Sequence, residues 1–187
     1  MRGDSMEDHG EDQREAAVKQ QHDEGRPLLR LACYGTLRRG HANHERFCSG
    51  YLDVQPVEIP GILRWLSPTI PILEVPERLI LAVGTADPLA DVATQARWMA
   101  RFEAEGHQYQ DRGEEPTHRN LDAVAGEVFT FGDADDRLPA IDRLEGFRPG
   151  GSSLYRRILV GVWAGDVAPV PAWIYAAPVY FPGRQLE

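Results

Sequence analysis

A loop and a distant glutamate carry the chemistry that this sequence suggests. The loop, residues 34–40 (Tyr-Gly-Thr-Leu-Arg-Arg-Gly), follows an apolar run. Its glycine lets backbone amides turn outward to bind a carboxylate or a developing oxyanion. Glu145 precedes Gly146, where a helix is expected to end. Exposed carbonyls at that end raise the proton affinity of a carboxylate slightly, and burial beside Leu144 and Phe147 is expected to raise it more. A general base that works near neutral pH needs such a raised pKa.

Further side chains are candidates for the same site. Tyr34 offers an aromatic wall, Thr36 offers a hydroxyl, and the arginine pair Arg38 and Arg39 is able to meet an anionic substrate. Tyr155 begins a strand soon after the glutamate, so its hydroxyl is placed to bind either the carboxylate or the substrate. The structural alternatives are an ordinary strand-ending turn, solvated arginines, a solvated glutamate and a tyrosine hydroxyl in water.

Other catalytic arrangements find little support. The sequence has no Gly-x-Ser-x-Gly, P-loop or Gly-x-Gly-x-x-Gly motif, so we expect no cofactor. His41 and His44 invite a metal hydrolase hypothesis, but no third ligand of suitable type lies nearby, and we expect no metal. Cys33 and Cys48 lack the paired spacing of a zinc or redox motif and are interpreted as unpaired core thiols in a reducing compartment.

Composition limits the class of protein and its partners. A chain of 187 residues with 42% hydrophobic residues suits one domain of ordinary size. The formal net charge of -9 and the pI near 5.2 argue against a nucleic-acid partner. The N-terminus is polar and acidic, and no apolar run approaches the roughly 18 residues of a membrane span. We therefore expect a cytoplasmic protein with no membrane partner.

The chain divides into a tail and one body. Residues 1–27 hold eight acidic residues against four basic ones, with little to bury, and are predicted to be a disordered acidic tail. Residues 28–180 are predicted to form a single domain with an insertion at about 67–120. Residues 181–187 are predicted to be a C-terminal tail.

Hydrophobic patterning predicts the elements that position the candidate residues. Strands are expected at 28–34, 54–58, 62–66, 77–83, 123–131, 155–163 and 171–175, with a turn at Pro60-Gly61. A short helix is expected at 41–47, a second at 87–105 after an Asp-Pro start, and a third from Asp133 or Asp135 to Gly146. These elements favour an α+β fold: a small mixed β-barrel or a strongly curved sheet with a few helices.

Two of these helices have apolar stripes that indicate how they pack. In the third helix, the residues expected on one face are Leu138, Ile141 and Leu144. In the helix at 87–105, the expected stripe consists of Leu89, Val92, Ala93, Ala96, Met99, Ala100 and Phe102. This second stripe is interpreted as core or as a homodimer surface.

The order of several short motifs resembles the γ-glutamylcyclotransferase-like family, which includes the γ-glutamylamine cyclotransferases. The matching segments are residues 31–40 (Leu-Ala-Cys-Tyr-Gly-Thr-Leu-Arg-Arg-Gly), Pro60-Gly61, 126–129 (Gly-Glu-Val-Phe), 141–147 (Ile-Asp-Arg-Leu-Glu-Gly-Phe) and 155–157 (Tyr-Arg-Arg). The resemblance covers residues 29–66 and about 123–176. It leaves 67–120 unexplained, as a lid, a dimer surface or a segment that blocks the pocket.

The resemblance implies a function and its residues. Glu145 matches the family's catalytic acid/base, and the residues that match its substrate loop are Tyr34, Gly35, Thr36 and Leu37. In the implied reaction, the α-amine of a γ-glutamyl group attacks its own γ-carbonyl, which releases 5-oxoproline and an amine or amino acid. The partner is then a small γ-glutamyl compound that supplies the nucleophile. The alternative is a non-catalytic binding or interaction module on the same fold.

Overall fold

A strongly curved seven-stranded sheet with helices on its outer face forms the described part of the protein. The computed structural model describes residues 28–67, 70–105, 122–165 and 169–177. The prediction of an α+β fold with a strongly curved sheet is confirmed. The predicted tails at 1–27 and 181–187, and a polar loop predicted at 108–120, lie outside the described residues.

Strands and helices alternate irregularly along the chain. In order, the elements are β1 (Leu29–Cys33), α1 (His44–Phe47), β2 (Asp53–Ser67), β3 (Ile70–Glu74), a 3₁₀ turn (Glu77–Leu79), β4 (Ala82–Val83), α2 (Pro88–Glu105), β5 (Asp122–Phe131), α3 (Ala134–Glu145), β6 (Arg156–Val162) and β7 (Val170–Ala176). Of the helices that the structure describes, none combines the length and the apolar character that a membrane span requires.

The sheet curls until β2 and β3 reach the residues that follow β6 and β7. The strand order is β3-β2-β5-β1-β7-β6-β4, and neighbours are antiparallel except for β1 and β7, which run parallel. Glu58 in β2 exchanges two backbone hydrogen bonds of 2.8 and 3.0 Å with Trp163, just past β6. The N–H of Ala177 donates to the carbonyl of Leu73 in β3 at 2.8 Å. These bonds draw the curved sheet towards a closed barrel.

Both faces of the central strands are buried, which explains their nearly continuous apolar sequences. In β7, Trp173 and Tyr175 pack into the core between the sheet and the helices, whereas Ala172 and Ile174 pack inside the curl. Strand β1 alternates in the same way. The curled sheet therefore has one core within it and a second core under the helices.

The expected turn at Pro60-Gly61 is wrong, because β2 runs through it without a break. The first part of β2 pairs with β5, down to Gly61 opposite Asp122, and the part from Ile62 onward pairs with β3. The Pro-Gly pair therefore marks the point where β2 exchanges one partner strand for another. No local signal distinguishes such an exchange from a turn.

The helix predicted at 87–105 is confirmed as α2, but only part of its predicted apolar stripe, Val92 and Phe102, is buried. The Asp87 carboxylate caps it by accepting from the N–H groups of Leu89 and Ala90 at 3.0 and 3.1 Å. The buried residues of α2 are Asp91, Val92, Gln95 and Phe102, whereas the predicted stripe residues that are exposed are Leu89, Ala93, Ala96 and Ala100.

Polar contacts of two side chains hold this face of α2 against the sheet. The Gln95 side chain accepts from the N–H of Arg30 at 3.0 Å and donates to the carbonyl of Leu28 at 3.1 Å. Asp91 lies in a buried ion pair with Arg157. A homodimer through α2 stays a prediction.

The strand expected at 77–83 is largely wrong. The N–H of Leu79 donates to the carbonyl of Pro76 at 2.9 Å, and that of Ile80 donates to Glu77 at 3.1 Å. These local bonds make a 3₁₀ turn and leave only the two residues of β4 to pair with β6.

Gly126 in β5 sits where the backbone of β1 and a side chain of β2 come close. A Cβ atom at this position would lie 2.6 Å from Ile59 Cδ1 and 2.7 Å from the carbonyl oxygen of Cys33. We expect Gly126→Ala to lower the free energy of unfolding by about 1–3 kcal/mol, because the added methyl group overpacks the sheet. Urea denaturation followed by circular dichroism measures this loss.

Gly35→Ala is the control for this substitution. A Cβ atom at Gly35 would meet only Pro71 Cγ, at an ordinary contact distance of 3.6 Å. Equal losses of unfolding free energy in the two variants would contradict the close approach described for Gly126.

Candidate active site

The loop that follows β1 is held in place from one side. The N–H of Arg38 donates to the carbonyl of Gly35 at 3.2 Å. Asn43 donates twice to Thr36, from its backbone N–H to the carbonyl at 3.1 Å and from its side chain to the hydroxyl at 2.9 Å. The N–H groups of Gly35, Thr36 and Leu37 donate to no residue in the described part of the chain. They are therefore candidate donors to a ligand.

Glu145 is the last residue of α3, as predicted. The helix ends at Gly146, whose φ of 66° is left-handed, and the N–H of Phe147 then donates to the carbonyl of Asp142 at 2.9 Å. Phe147 is buried, whereas Leu144, expected on the buried face, is partly exposed. The chain thus turns sharply at the end of α3 and returns to the core directly after Glu145.

The Glu145 carboxylate titrates near neutral pH. Burial raises its pKa from 4.5 to about 7. Desolvation is the cause, which agrees with the effect expected from burial, and the smaller effect expected from the helix-end carbonyls stays a prediction. Among the described residues, none forms a hydrogen bond or an ion pair with this carboxylate. It remains available as an acceptor for a ligand proton.

One cavity brings the predicted site residues together. Its volume is about 210 Å³, and Glu145 lines it from the end of α3. The other predicted residues on its wall are Tyr34, Gly35, Thr36, Leu37 and Tyr155. Residues separated by more than a hundred positions in sequence therefore share a single concave site.

The two tyrosines are fixed by the backbone of other strands. The Tyr155 hydroxyl donates to the carbonyl of Pro71 at 3.0 Å, so it does not bind Glu145. The Tyr34 hydroxyl donates to the carbonyl of Tyr175 at 2.9 Å. Burial, followed by the charge of the Glu145 carboxylate, raises the pKa of Tyr155. Both rings act as fixed, neutral walls of the cavity.

Sequence reasoning missed five residues on the cavity wall, which are Ala32, Cys33, Ile70, Pro71 and Tyr175. Ile70 and Pro71 come from β3, in the segment that the motifs left unexplained, and no local signal marked them. Cys33 and Tyr175 lie in predicted strands, but only the pairing of β1 with β7 shows that they meet. A hydrogen bond to Cys48, together with burial, raises the pKa of Cys33 and keeps it a thiol.

A buried charge network supports the helix that carries Glu145. The Arg157 guanidinium is fully buried and donates to Asp142 at 2.6 Å, one turn before the glutamate. It also donates to Asp91 of α2 at 2.5 Å. The Tyr175 hydroxyl donates to the second oxygen of Asp142 at 2.7 Å. Helices α2 and α3 are thereby tied to β6 and β7 beneath the cavity.

The remaining candidates fall outside the cavity. Arg39 pairs with Glu127, with 2.7 Å between Nε and Oε1. His44 donates from Nδ1 to the carbonyl of Leu37 at 3.0 Å and packs against Phe129. His41 lines a second cavity, which shares Tyr34, Gly35 and Thr36 with the first. Within the described ranges, no three His, Cys, Asp or Glu side chains form a group that would hold a metal ion.

Comparison with known proteins identifies the family of this chain. A family model described as gamma-glutamyl cyclotransferase, AIG2-like, matches residues 31–185. The chain belongs to this family. The match includes the segment 67–120, which the motifs had left unexplained, and membership implies a cyclotransferase-type activity.

Solved structures are also similar to this family member. An AIG2-like protein from Mus musculus is similar at 17% sequence identity, over 83% of this chain and 80% of that chain, with a TM-score of 0.46. No curated protein matches the chain.

Proposed function

We propose that this protein cleaves a γ-glutamyl amide by intramolecular cyclisation and releases 5-oxoproline. The observation that carries the proposal is the Glu145 carboxylate, whose pKa is raised to about 7, on the wall of the cavity that the loop residues also line. A group that titrates there collects and returns a proton near neutral pH. Family membership supports the same type of activity.

The proposed reaction needs no nucleophile from the protein. The substrate α-nitrogen forms a bond to the γ-carbonyl carbon, and the bond from that carbon to the leaving nitrogen breaks. Glu145 takes a proton from the attacking nitrogen and delivers it to the leaving nitrogen. The N–H groups of Gly35, Thr36 and Leu37 stabilise the negative charge that develops on the carbonyl oxygen.

In the proposed reaction, the rest of the rate acceleration comes from cavity walls that hold the two reacting atoms of the substrate together. An intramolecular attack is fast only when the two reacting atoms are kept near each other. Tyr34 and Tyr155 are anchored to backbone carbonyls, so their rings restrict the shapes that a glutamyl group adopts in the cavity. We assign both tyrosines to substrate binding.

We expect 5-oxoproline formation to depend on pH with an acidic limb centred at about 7. Glu145 is the base in its ionised form, and its raised pKa means that this form is lost as the pH falls through that value. The test incubates the protein with a panel of γ-glutamyl amino acids and amines, and measures 5-oxoproline by chromatography between pH 5 and 9.

Two outcomes of this assay would contradict the proposal. The absence of 5-oxoproline from the whole panel would favour the non-catalytic binding module instead. A value of kcat/KM that stays constant from pH 5.5 to pH 8, with product formed, would remove Glu145 as the base.

A further inference from the structure

A second cavity adjoins the one that holds Glu145. Its volume is about 510 Å³, and Tyr34, Gly35 and Thr36 line both cavities. The loop after β1 therefore borders both cavities.

Arg38 brings a positive charge to the second cavity. Its Nε atom is buried and has no hydrogen-bond partner among the described residues. Its Nη2 atom has only a long contact of 3.5 Å with His41 Nε2, and no described carboxylate forms an ion pair with it. The adjacent Arg39, in contrast, is paired with Glu127. A buried donor of this kind is costly unless a ligand acceptor satisfies it.

The rest of the second cavity has an apolar wall. Trp65 and Leu63 of β2 line it, and Trp65 is 58% exposed. An exposed indole gains stability when an apolar group covers it. The cavity therefore presents an apolar surface together with one cation.

We propose that the second cavity binds the leaving group of the substrate, and that this group is an apolar or aromatic amino acid whose carboxylate pairs with Arg38. The inference rests on the proposed function, because it places the glutamyl part beside Glu145. The side chain of the leaving amino acid packs against Trp65. Cyclisation then releases 5-oxoproline into the first cavity and the free amino acid into the second.

The test compares two substrates that differ by one carboxylate. γ-Glutamylphenylalanine and γ-glutamylphenethylamide share the glutamyl group and the aromatic ring, and only the first carries the carboxylate on its leaving group. We expect kcat/KM to favour the first by about 10- to 100-fold, the range of one charge-assisted hydrogen-bonded pair. In Arg38→Gln the preference falls to about one, and in Arg38→Lys part of it is retained.

Two further variants separate charge from packing. Arg46→Gln removes the same charge from an exposed position in α1 that lines neither cavity, and we expect the full preference to persist. Trp65→Ala should lower kcat/KM for both aromatic substrates more than for γ-glutamylglycine, because the indole contacts the ring of the leaving group.

Binding of the released products provides a readout independent of turnover. Calorimetry with L-phenylalanine and with phenethylamine should show tighter binding of the first in the parent protein and not in Arg38→Gln. Equal binding of the two, or a substrate preference that survives in Arg38→Gln, overturns the inference while 5-oxoproline formation still supports the proposed function. If no compound yields 5-oxoproline but phenylalanine still binds through Arg38, the proposed function fails and the anion site stands.

Discussion

Glu145→Gln should lower kcat for 5-oxoproline formation by about 10²- to 10⁴-fold and change KM little. This is the range expected when a general acid/base is lost, and the amide cannot accept the proton that the carboxylate takes. Because glutamine has the same shape, the cavity and the end of α3 should be preserved. Steady-state kinetics on a γ-glutamyl substrate, with circular dichroism to verify folding, measures the effect.

Glu45→Gln provides the matched control, since Glu45 is exposed in α1 and lines neither cavity. We expect its kcat to equal that of the parent. Turnover within threefold of the parent in a folded Glu145→Gln variant would remove the glutamate from the mechanism.

The same substitution should stabilise the fold at alkaline pH. The pKa of Glu145 is about 7 in the folded protein, above the value of 4.5 expected for an unfolded chain. Its protonation therefore stabilises the native state fully below pH 4.5, and this contribution is lost as the pH rises through 7. Glu145→Gln avoids that loss, so its Tm should exceed that of the parent at pH 8 and approach it at pH 4.5. A raised Tm together with lost turnover would separate a catalytic role from misfolding.

Arg157→Met should lower the free energy of unfolding by about 3–5 kcal/mol. The substitution leaves two carboxylates, Asp91 and Asp142, inside the protein without the guanidinium that now binds both. Arg157 also donates to the carbonyl of Thr85, and the Tyr175 hydroxyl donates to Asp142. Urea denaturation at pH 7 measures the loss. Arg157→Lys should be intermediate, because one ammonium group cannot span both carboxylates.

Arg156→Met is the control from the neighbouring position on β6. Arg156 pairs with the exposed Glu77 at 2.6 Å, and a surface pair of this kind contributes only about 0–1 kcal/mol. A loss of less than 1 kcal/mol in Arg157→Met, or equal losses in the two variants, would show that the buried network contributes little to stability.

Apolar runs made the central strands predictable. The sequence around β1 and β7 is mostly apolar on both faces, because each strand is buried between the inner core and the helices. The stop of α3 at Gly146 was also visible, since its left-handed φ favours glycine. At these positions the local sequence and the tertiary structure favour the same backbone conformation.

The prediction failed where a distant partner decides the local structure. Nothing near Pro60-Gly61 shows that β2 leaves β5 for β3, and so the pair looked like a turn. The buried face of α2 depends on Gln95 and Asp91, whose partners lie far away in sequence. A periodicity count treats both residues as solvent-facing, although they bind the core.

The residues of the candidate site fall into the same two groups, those that local sequence indicates and those that depend on distant partners. The spacing of Glu145 and the loop at 34–37 placed them in one hypothesis, and the structure brings them to one cavity. Pro71 and Tyr175 could not be found in this way, since they reach the cavity only after β3 and β7 have joined the curved sheet. The role of each residue in turnover stays a prediction for the assays above.

The parallel pairing of β1 with β7 sets the order in which the domain is completed. Among the described strands, β1 leaves the ribosome first and β7 last, yet the two lie side by side in the middle of the sheet. Until residue 176 has been synthesised, one edge of β1 lacks its neighbour and offers unpaired N–H and C=O groups to other chains. This edge of β1 therefore stays unpaired for longer during synthesis than it would if the strands paired in the order of translation.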